Sequence, residues 1–328
     1  MKICILGDGG WGTALSIILS KRNKVYLWGP FPEYINFLNK TRENKKFLAG
    51  VKIPKAVSVI ADLEEAISEA EMVILAIPAE FVRSVIKKLK NFSLSQKIVI
   101  NVAKGIEKES LMLISEIIRQ ELGQLDKLCI LSGPSHAEEV ARNIPTAVVV
   151  ASLNEEVAQK IQQELANENF RIYRSFDIVG LQLGGALKNI IAIAVGICDG
   201  LSLGANTKAA LLTRGLAEIG RLGVQMGGSL STFAGLAGMG DLVATCFSGY
   251  SRNRKAGEEI ARGKKLREIL KETEMVIEGI NTVQSVIKLA ERYDVEMPIS
   301  REVYSVLFKN KDPHQAVRDL MVREMKEE

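Results

Sequence analysis

At 328 residues, against about 150 per domain, the chain is too long for one small module and long enough for two cores. A 47% hydrophobic share, a 25% charged share and a net charge of +4 exclude disordered and fibrous classes and give no charge argument for nucleic acid. Four scattered cysteines without a CxxC pair and only two histidines, His136 and His314, exclude a disulfide framework and a histidine-rich metal centre; the cysteines read as buried thiols of a reducing compartment.

The opening run 1–6 is apolar but stops at Gly7-Asp8. It lacks the long apolar core and cleavage site of a signal peptide, so a cytoplasmic protein is expected. Short β-branched runs then recur at 3–6, 25–28, 57–60, 72–77, 97–102, 128–131, 147–151 and 170–173. Between several of them lie helical patterns at 13–20, 64–69, 81–89, 111–122 and 155–165. That alternation predicts an α/β fold with a mostly parallel, doubly wound sheet.

After residue 176 the alternation ends, and longer helical patterns follow at 179–195, 208–225, 252–262, 282–292, 301–308 and 316–325. A domain boundary near residue 180 is expected, with an all-α domain behind it. The apolar stretch 190–198 is shorter than the roughly 20 residues that span a bilayer, so no membrane span is expected. The charged tail 323–328 reads as a solvated, fraying terminus.

Gly7-Asp8-Gly9-Gly10-Trp11-Gly12 fits Gly-x-Gly-x-x-Gly and falls between the first strand and the first helix. Gly7 would make the tight turn, Gly9 would let the backbone approach a pyrophosphate, and Gly12 would let helix and sheet pack closely. The helix N–H groups would then receive the anion. A purely structural turn is the competing reading, and Trp11 is as readily a packing residue as a cofactor cover. The acid that usually hydrogen-bonds the adenosine ribose is missing after the second strand, where Trp28-Gly29-Pro30 stands and Glu33 is the first acid beyond. No arginine stands there either, which leaves both NADH and NADPH open.

Residues 181–195 carry only three polar side chains, Gln182, Lys188 and Asn189. Burying an ammonium is costly and lowers its pKa, which makes Lys188 the chief candidate for proton exchange with a carbonyl or alcohol. A snorkelling lysine with its head in water is the alternative. Lys104, in Asn101-Val102-Ala103-Lys104-Gly105, and the turn Ser132-Gly133-Pro134-Ser135-His136-Ala137 both follow strands, at the carboxyl edge where such sheets bind ligands; a solvated loop lysine and an ordinary strand-to-helix cap are the competing readings. His136 reads more simply as a loop-wall or capping residue than as a base. Gly235 to Asp241 lacks a preceding strand, so it is not a second dinucleotide loop; it would bring Asp241 to a helix start, to orient Lys188, to bond a substrate hydroxyl or simply to cap. Ser251-Arg252-Asn253 opens another helix and reads either as a phosphate grip or as a serine-capped, solvent-facing start.

Together these residues resemble the bacterial NAD(P)-dependent glycerol-3-phosphate dehydrogenase family. The resemblance is carried by Gly7-Asp8-Gly9-Gly10-Trp11-Gly12-Thr13-Ala14, Ala103-Lys104-Gly105, Ser132-Gly133-Pro134-Ser135 and Gln182-Leu183-Gly184-Gly185-Ala186-Leu187-Lys188-Asn189. It continues through Thr213-Arg214-Gly215-Leu216-Ala217-Glu218, Gly238-Met239-Gly240-Asp241-Leu242, Ser251-Arg252-Asn253 and Val276-Ile277-Glu278-Gly279. It implies a Rossmann domain at 1–180, an all-helical substrate-binding domain at 181–328, and NAD(P)H as cofactor. The reaction implied is the reversible reduction of dihydroxyacetone phosphate to sn-glycerol 3-phosphate for glycerophospholipid synthesis. It also allows a homodimer.

Carried over by position, the resemblance makes Lys188 the proton donor and acceptor at the C2 oxygen, with Lys104 and Asp241 beside it. Gly133, Ser135, Ser251, Arg252 and Asn253 match substrate positions. Gly10, Trp11, Lys104, Ala137, Arg252, Val276 and Glu278 match cofactor positions. Two departures stand out: Gly10 occupies a place often held by serine, and Pro30 one often held by His or Arg. The competing readings are a β-hydroxyacid or 6-phosphogluconate-type dehydrogenase, disfavoured because Asn189 adjoins Lys188 and residue 192 is alanine, and a silent dinucleotide-sensing regulator, which would need a partner or DNA-reading surface, whereas the sequence displays no evident basic recognition helix and a net charge of only +4.

Overall fold

The computed structural model describes residues 1–325 and 327; Lys326 and Glu328, part of the tail expected to fray, lie outside the described residues. The chain divides into two compact units, one comprising 1–104 and 112–182, the other 105–111 and 183–328. The division falls within the helix Ile178–Gly200 rather than in a loop. The short segment 105–111 groups with the second unit although it precedes that helix in sequence.

In the first unit each of the eight β-branched runs forms a strand. Among the described residues these are β1 (Lys2–Leu6), β2 (Lys24–Trp28), β3 (Val57–Ile60), β4 (Met72–Leu75), β5 (Ile98–Asn101), β6 (Leu128–Ser132), β7 (Thr146–Ala151) and β8 (Phe170–Ser175). They make one sheet in the order β3-β2-β1-β4-β5-β6-β7-β8, parallel throughout except for the antiparallel pair β6 and β7. Alternate side chains of a strand face opposite sides, and both faces are covered. Ile3 and Ile5 pack into a core with the helices Gly10–Leu19 and Glu155–Leu165, while Cys4 and Leu6 pack into another with Ala79–Leu89 and Ile114–Leu122. Burial on both faces explains the near-continuous apolar strands. The run 72–77 ends its strand at Leu75, the Ala76 N–H making a last bond to the Leu6 carbonyl at 2.8 Å, and Pro78 stands immediately before the helix Ala79–Leu89.

Strand order reverses between β1 and β4, which opens a crevice at their carboxyl ends. Gly7 sits there with φ +118°, and a side chain on it would overlap the carbonyl oxygen of Ala76. A methyl group at Gly12 would overlap the carbonyl oxygen of Gly7. Gly12→Ala is therefore expected to lower stability by about 1–3 kcal/mol through overpacking; chemical denaturation reads it, and an unchanged midpoint would contradict this close approach.

The second unit is helical, its longer helices being Ala205–Gln225, Arg252–Ala261, Glu278–Arg292, Pro298–Phe308 and Pro313–Met321, together with most of Ile178–Gly200. The stretch 190–198 thus belongs to a 23-residue helix that is long and apolar enough to cross a membrane. This corrects the reading based on length. However, 89% of that helix's most apolar window is buried within the protein, so its apolar character serves the core. The carboxylate of Glu218 accepts hydrogen bonds from the N–H groups of Ile299 and Ser300 and from the Ser300 hydroxyl, closing the start of Pro298–Phe308. All four cysteines are free and buried, and burial pushes the thiols of Cys4, Cys129 and Cys246 up to about 12 and that of Cys198 to about 11.

Candidate active site

The glycine loop of the first unit has the geometry an anion needs. Gly9 is the N-cap of Gly10–Leu19, and a side chain added to it meets nothing within 4 Å. The helix ladder begins with Thr13 N–H donating to Gly9 at 3.0 Å, so the N–H groups of Gly10, Trp11 and Gly12 precede it without intrahelical acceptors. Asn44, buried beneath the loop, donates to the Asp8 carbonyl and the Thr13 hydroxyl, each at 2.7 Å. Sequence reading missed Asn44 because nothing local ties it to residues more than thirty positions away. At Gly10, where serine is often expected, a Cβ would stand 2.6 Å from the carbonyl oxygen of Phe47 and 3.7 Å from the Ala137 methyl. The 47 segment thus favours glycine, and Ala137 borders the loop. Trp11 is half-buried and packs on the sheet core. These features fit a dinucleotide: an open glycine, a helix start and a crevice at the point where strand order reverses.

Lys104, Gly133 and Ser135 come together in the same unit. Asn101, the last residue of β5, folds its carboxamide against Ala103, accepting from its N–H at 3.1 Å and donating to its carbonyl at 3.2 Å. That local turn sets the direction of Lys104, whose Nζ donates to the Gly133 carbonyl at 2.9 Å and the Ser135 hydroxyl at 3.4 Å. Gly133 follows β6 with φ +135°, a conformation that favours glycine. His136 is half-buried at the N-cap position of the short helix Ala137–Ala141, with no side-chain capping bond.

In the second unit Lys188 is only 6% exposed. Its Nζ donates to the carboxylate of Asp241 and to the Thr245 hydroxyl, the latter at 2.6 Å. The snorkelling alternative is thus set aside: the lysine head is buried in a compensated ion pair with Asp241. Asp241 and Thr245 stand four residues apart on the helix Asp241–Phe247, so both side chains project from one face. Asp241 lies at its start, where a carboxylate is also favoured by the helix dipole. A π-helical turn, Leu236–Gly240, leads into this helix. A Cβ on Gly184 would overlap the Ala237 carbonyl oxygen, so glycine one turn before Lys188 permits the approach that presents Asp241 to the lysine.

Next to Lys188, Asn189 joins three elements. Its carboxamide oxygen accepts from Asn253 Nδ2 at 3.0 Å, and Asn253 Oδ1 in turn accepts from the Gly279 N–H at 2.9 Å. Asn253 is therefore buried and structurally engaged, unlike the solvent-facing start that sequence allowed. Ser251 is buried and caps Arg252–Ala261 by accepting from the Arg254 N–H at 3.2 Å. Arg252 is exposed and donates to the Val276 carbonyl at 2.6 Å. Val276 thus neighbours the arginine, and the half-buried Glu278 opens the helix Glu278–Arg292.

Residues 2–158 match the family described as NAD-dependent glycerol-3-phosphate dehydrogenase N-terminus, and residues 177–318 the C-terminus of the same enzyme. The chain belongs to the glycerol-3-phosphate dehydrogenase family. A glycerol-3-phosphate dehydrogenase [NAD(P)+] from Thermoanaerobacter sp. (strain X514) is 50% identical, covering 100% of this chain and 99% of that protein. One from Pelotomaculum thermopropionicum is 49% identical over 98% of this chain and 93% of its own length. The crystal structure of the Coxiella burnetii glycerol-3-phosphate dehydrogenase has 37% identity and a TM-score of 0.94, covering 98% of this chain and 99% of that one.

The structure therefore assembles two groups of the expected residues. One, Lys104 with Gly133 and Ser135, belongs to the sheet unit; the other, Lys188 with Asp241, adjoins the Asn189 and Asn253 link in the helical unit. Thr245 was not singled out from sequence, although its spacing of four from Asp241 was visible.

Proposed function

We propose that the protein catalyses the reversible, NAD(P)H-dependent reduction of dihydroxyacetone phosphate to sn-glycerol 3-phosphate, supplying glycerophospholipid synthesis. The observation that carries this reading is the buried Lys188 ammonium held by Asp241 and Thr245 in a chain of this family. In this reading residues 1–180 hold the dinucleotide and residues 181–328 the substrate. Gly7, Gly9, Gly10, Trp11, Gly12 and Ala137 line the coenzyme, and the family resemblance assigns Lys104, Arg252, Val276 and Glu278 to it as well. When bound, the reduced nicotinamide supplies a hydride to C2 of the ketone.

Lys188 donates a proton to the C2 oxygen as negative charge develops there, and takes it back in the reverse direction. Asp241 and Thr245 hold the ammonium so that one of its N–H bonds is aimed at the substrate. Arg252 grips the phosphate with charge-assisted hydrogen bonds, helped by the Ser251 hydroxyl and the helix start. Asn253, already bonded through its oxygen and one N–H, fixes that corner and offers its second N–H. Lys104, Gly133 and Ser135 contact the remaining polar atoms of the triose.

The decisive assay combines purified protein, dihydroxyacetone phosphate and NADH or NADPH in parallel, following nicotinamide absorbance; no oxidation with either coenzyme would reject the reading. Arg252→Ala is expected to raise the KM for dihydroxyacetone phosphate about tenfold or more, from the loss of a hydrogen bond to a charged group. An unchanged KM would remove Arg252 from the grip. Four buried, free cysteines support a reducing, cytoplasmic location. The family resemblance extends to a homodimer, which light scattering of the purified protein would read directly.

A further inference from the structure

The end of β2 offers no acid to a ribose, since Gly29 and Pro30 follow Trp28. The space beside it is nevertheless taken by a carboxyl group. A side chain built on Gly29 would overlap Asp8, whose Cγ lies 2.5 Å from that Cβ position. Asp8, the second residue of the glycine loop, thus puts its carboxyl where a side chain from the end of β2 would begin.

Asp8 is 8% exposed, and its Oδ2 is buried with no hydrogen-bond partner among the described residues. Burying such an oxygen without a donor costs free energy. Within the chain only partial compensation exists: burial holds this carboxyl above the usual carboxylate range, while its own backbone N–H and the charge of Lys46 act in the opposite direction. A donor from a ligand is what the group lacks. The torsion that turns a carboxyl is broad and roughly two-fold, so the group can reorient its oxygens toward a donor at little cost. The adjoining Gly9 is open, with nothing within 4 Å of an added side chain.

Resting on the dinucleotide reading above, we infer that Asp8 accepts hydrogen bonds from the adenosine ribose diol and makes the enzyme prefer NADH over NADPH. The carboxylate that this type of fold normally sends from the end of its second strand comes here from the glycine loop. A diol supplies two O–H donors to it; a 2′-phosphate supplies negative charge instead and is repelled. The opposing feature is Lys46, whose ammonium lies 5.1 Å from the Phe47 ring centroid and 6.0 Å from that of Tyr34. A cation there would attract a 2′-phosphate, so the two charges make opposite predictions.

Fluorescence titration with NADH and with NADPH, without substrate, decides between them for the wild type, Asp8→Asn and Asp8→Ala. The wild type is expected to bind NADH about tenfold more tightly than NADPH, and Asp8→Ala to bring the two affinities close together mainly by weakening NADH. Asp8→Asn keeps the side-chain volume, so a similar shift with an unchanged melting temperature excludes misfolding as the cause. Equal or tighter binding of NADPH by the wild type, or an unchanged ratio in both variants, would overturn the assignment. Because binding is read without dihydroxyacetone phosphate, a chain inactive on that ketone would still support or refute the role of Asp8.

Discussion

Lys188→Met is expected to lower kcat for dihydroxyacetone phosphate reduction by roughly 100- to 10,000-fold, the usual contribution of a general acid. Methionine keeps most of the length and apolar bulk of the lysine stem, so the helix Ile178–Gly200 should still pack. The variant leaves Asp241 without the ammonium that it and Thr245 hold, yet it does not alter the glycine loop. NADH affinity should therefore stay near the wild-type value while turnover collapses. A variant with a near-normal kcat would show that the proton comes from elsewhere.

Asp241→Ala should damage both stability and rate. Removing one partner of a buried ion pair strands the other charge, at a cost of about 3–5 kcal/mol, and Lys188 and Asp241 are both almost wholly buried. Urea denaturation would read that loss as a lower midpoint. The fall in kcat should exceed any change in KM, since the carboxylate orients Lys188 rather than gripping the phosphate. Stability within about 0.5 kcal/mol of wild type, the range of an inconsequential surface change, together with an unaltered kcat would mean that the pair neither holds the fold nor prepares the lysine.

The elements most legible in sequence were those with strong local periodicity. Every strand was visible because a sheet covered on both faces demands apolar runs, and Glu155–Leu165 was visible because Val157, Ala158, Ile161 and Leu165 mark one buried stripe. Pro32–Thr41 escaped because only Ile35 and Leu38 are buried, too few to mark a period. Leu230–Ala234 and Leu266–Glu272 escaped because five and seven residues span at most two turns, whereas Asp241–Phe247 was anticipated at its first residue. In the site, the glycine loop and Lys188 stood out locally. The partners of Lys188 lie 53 and 57 residues away, and only the proposed orientation by Asp241 was foreseen.

Local covalent character determined a great deal: where the chain reverses at Gly7 and Gly133, which runs become strands, and that a lysine lies within an apolar helix. These follow from backbone sterics and apolar patterning, which act over a few neighbouring residues. Tertiary packing alone decided that Thr245 joins Asp241 in holding Lys188, that Asn253 is drawn into a buried link with Asn189, and that the Asp8 carboxyl fills the place beside Gly29. Each of those outcomes depends on glycines or small turns letting distant segments meet at van der Waals distance, and no spacing along the chain encodes such a meeting.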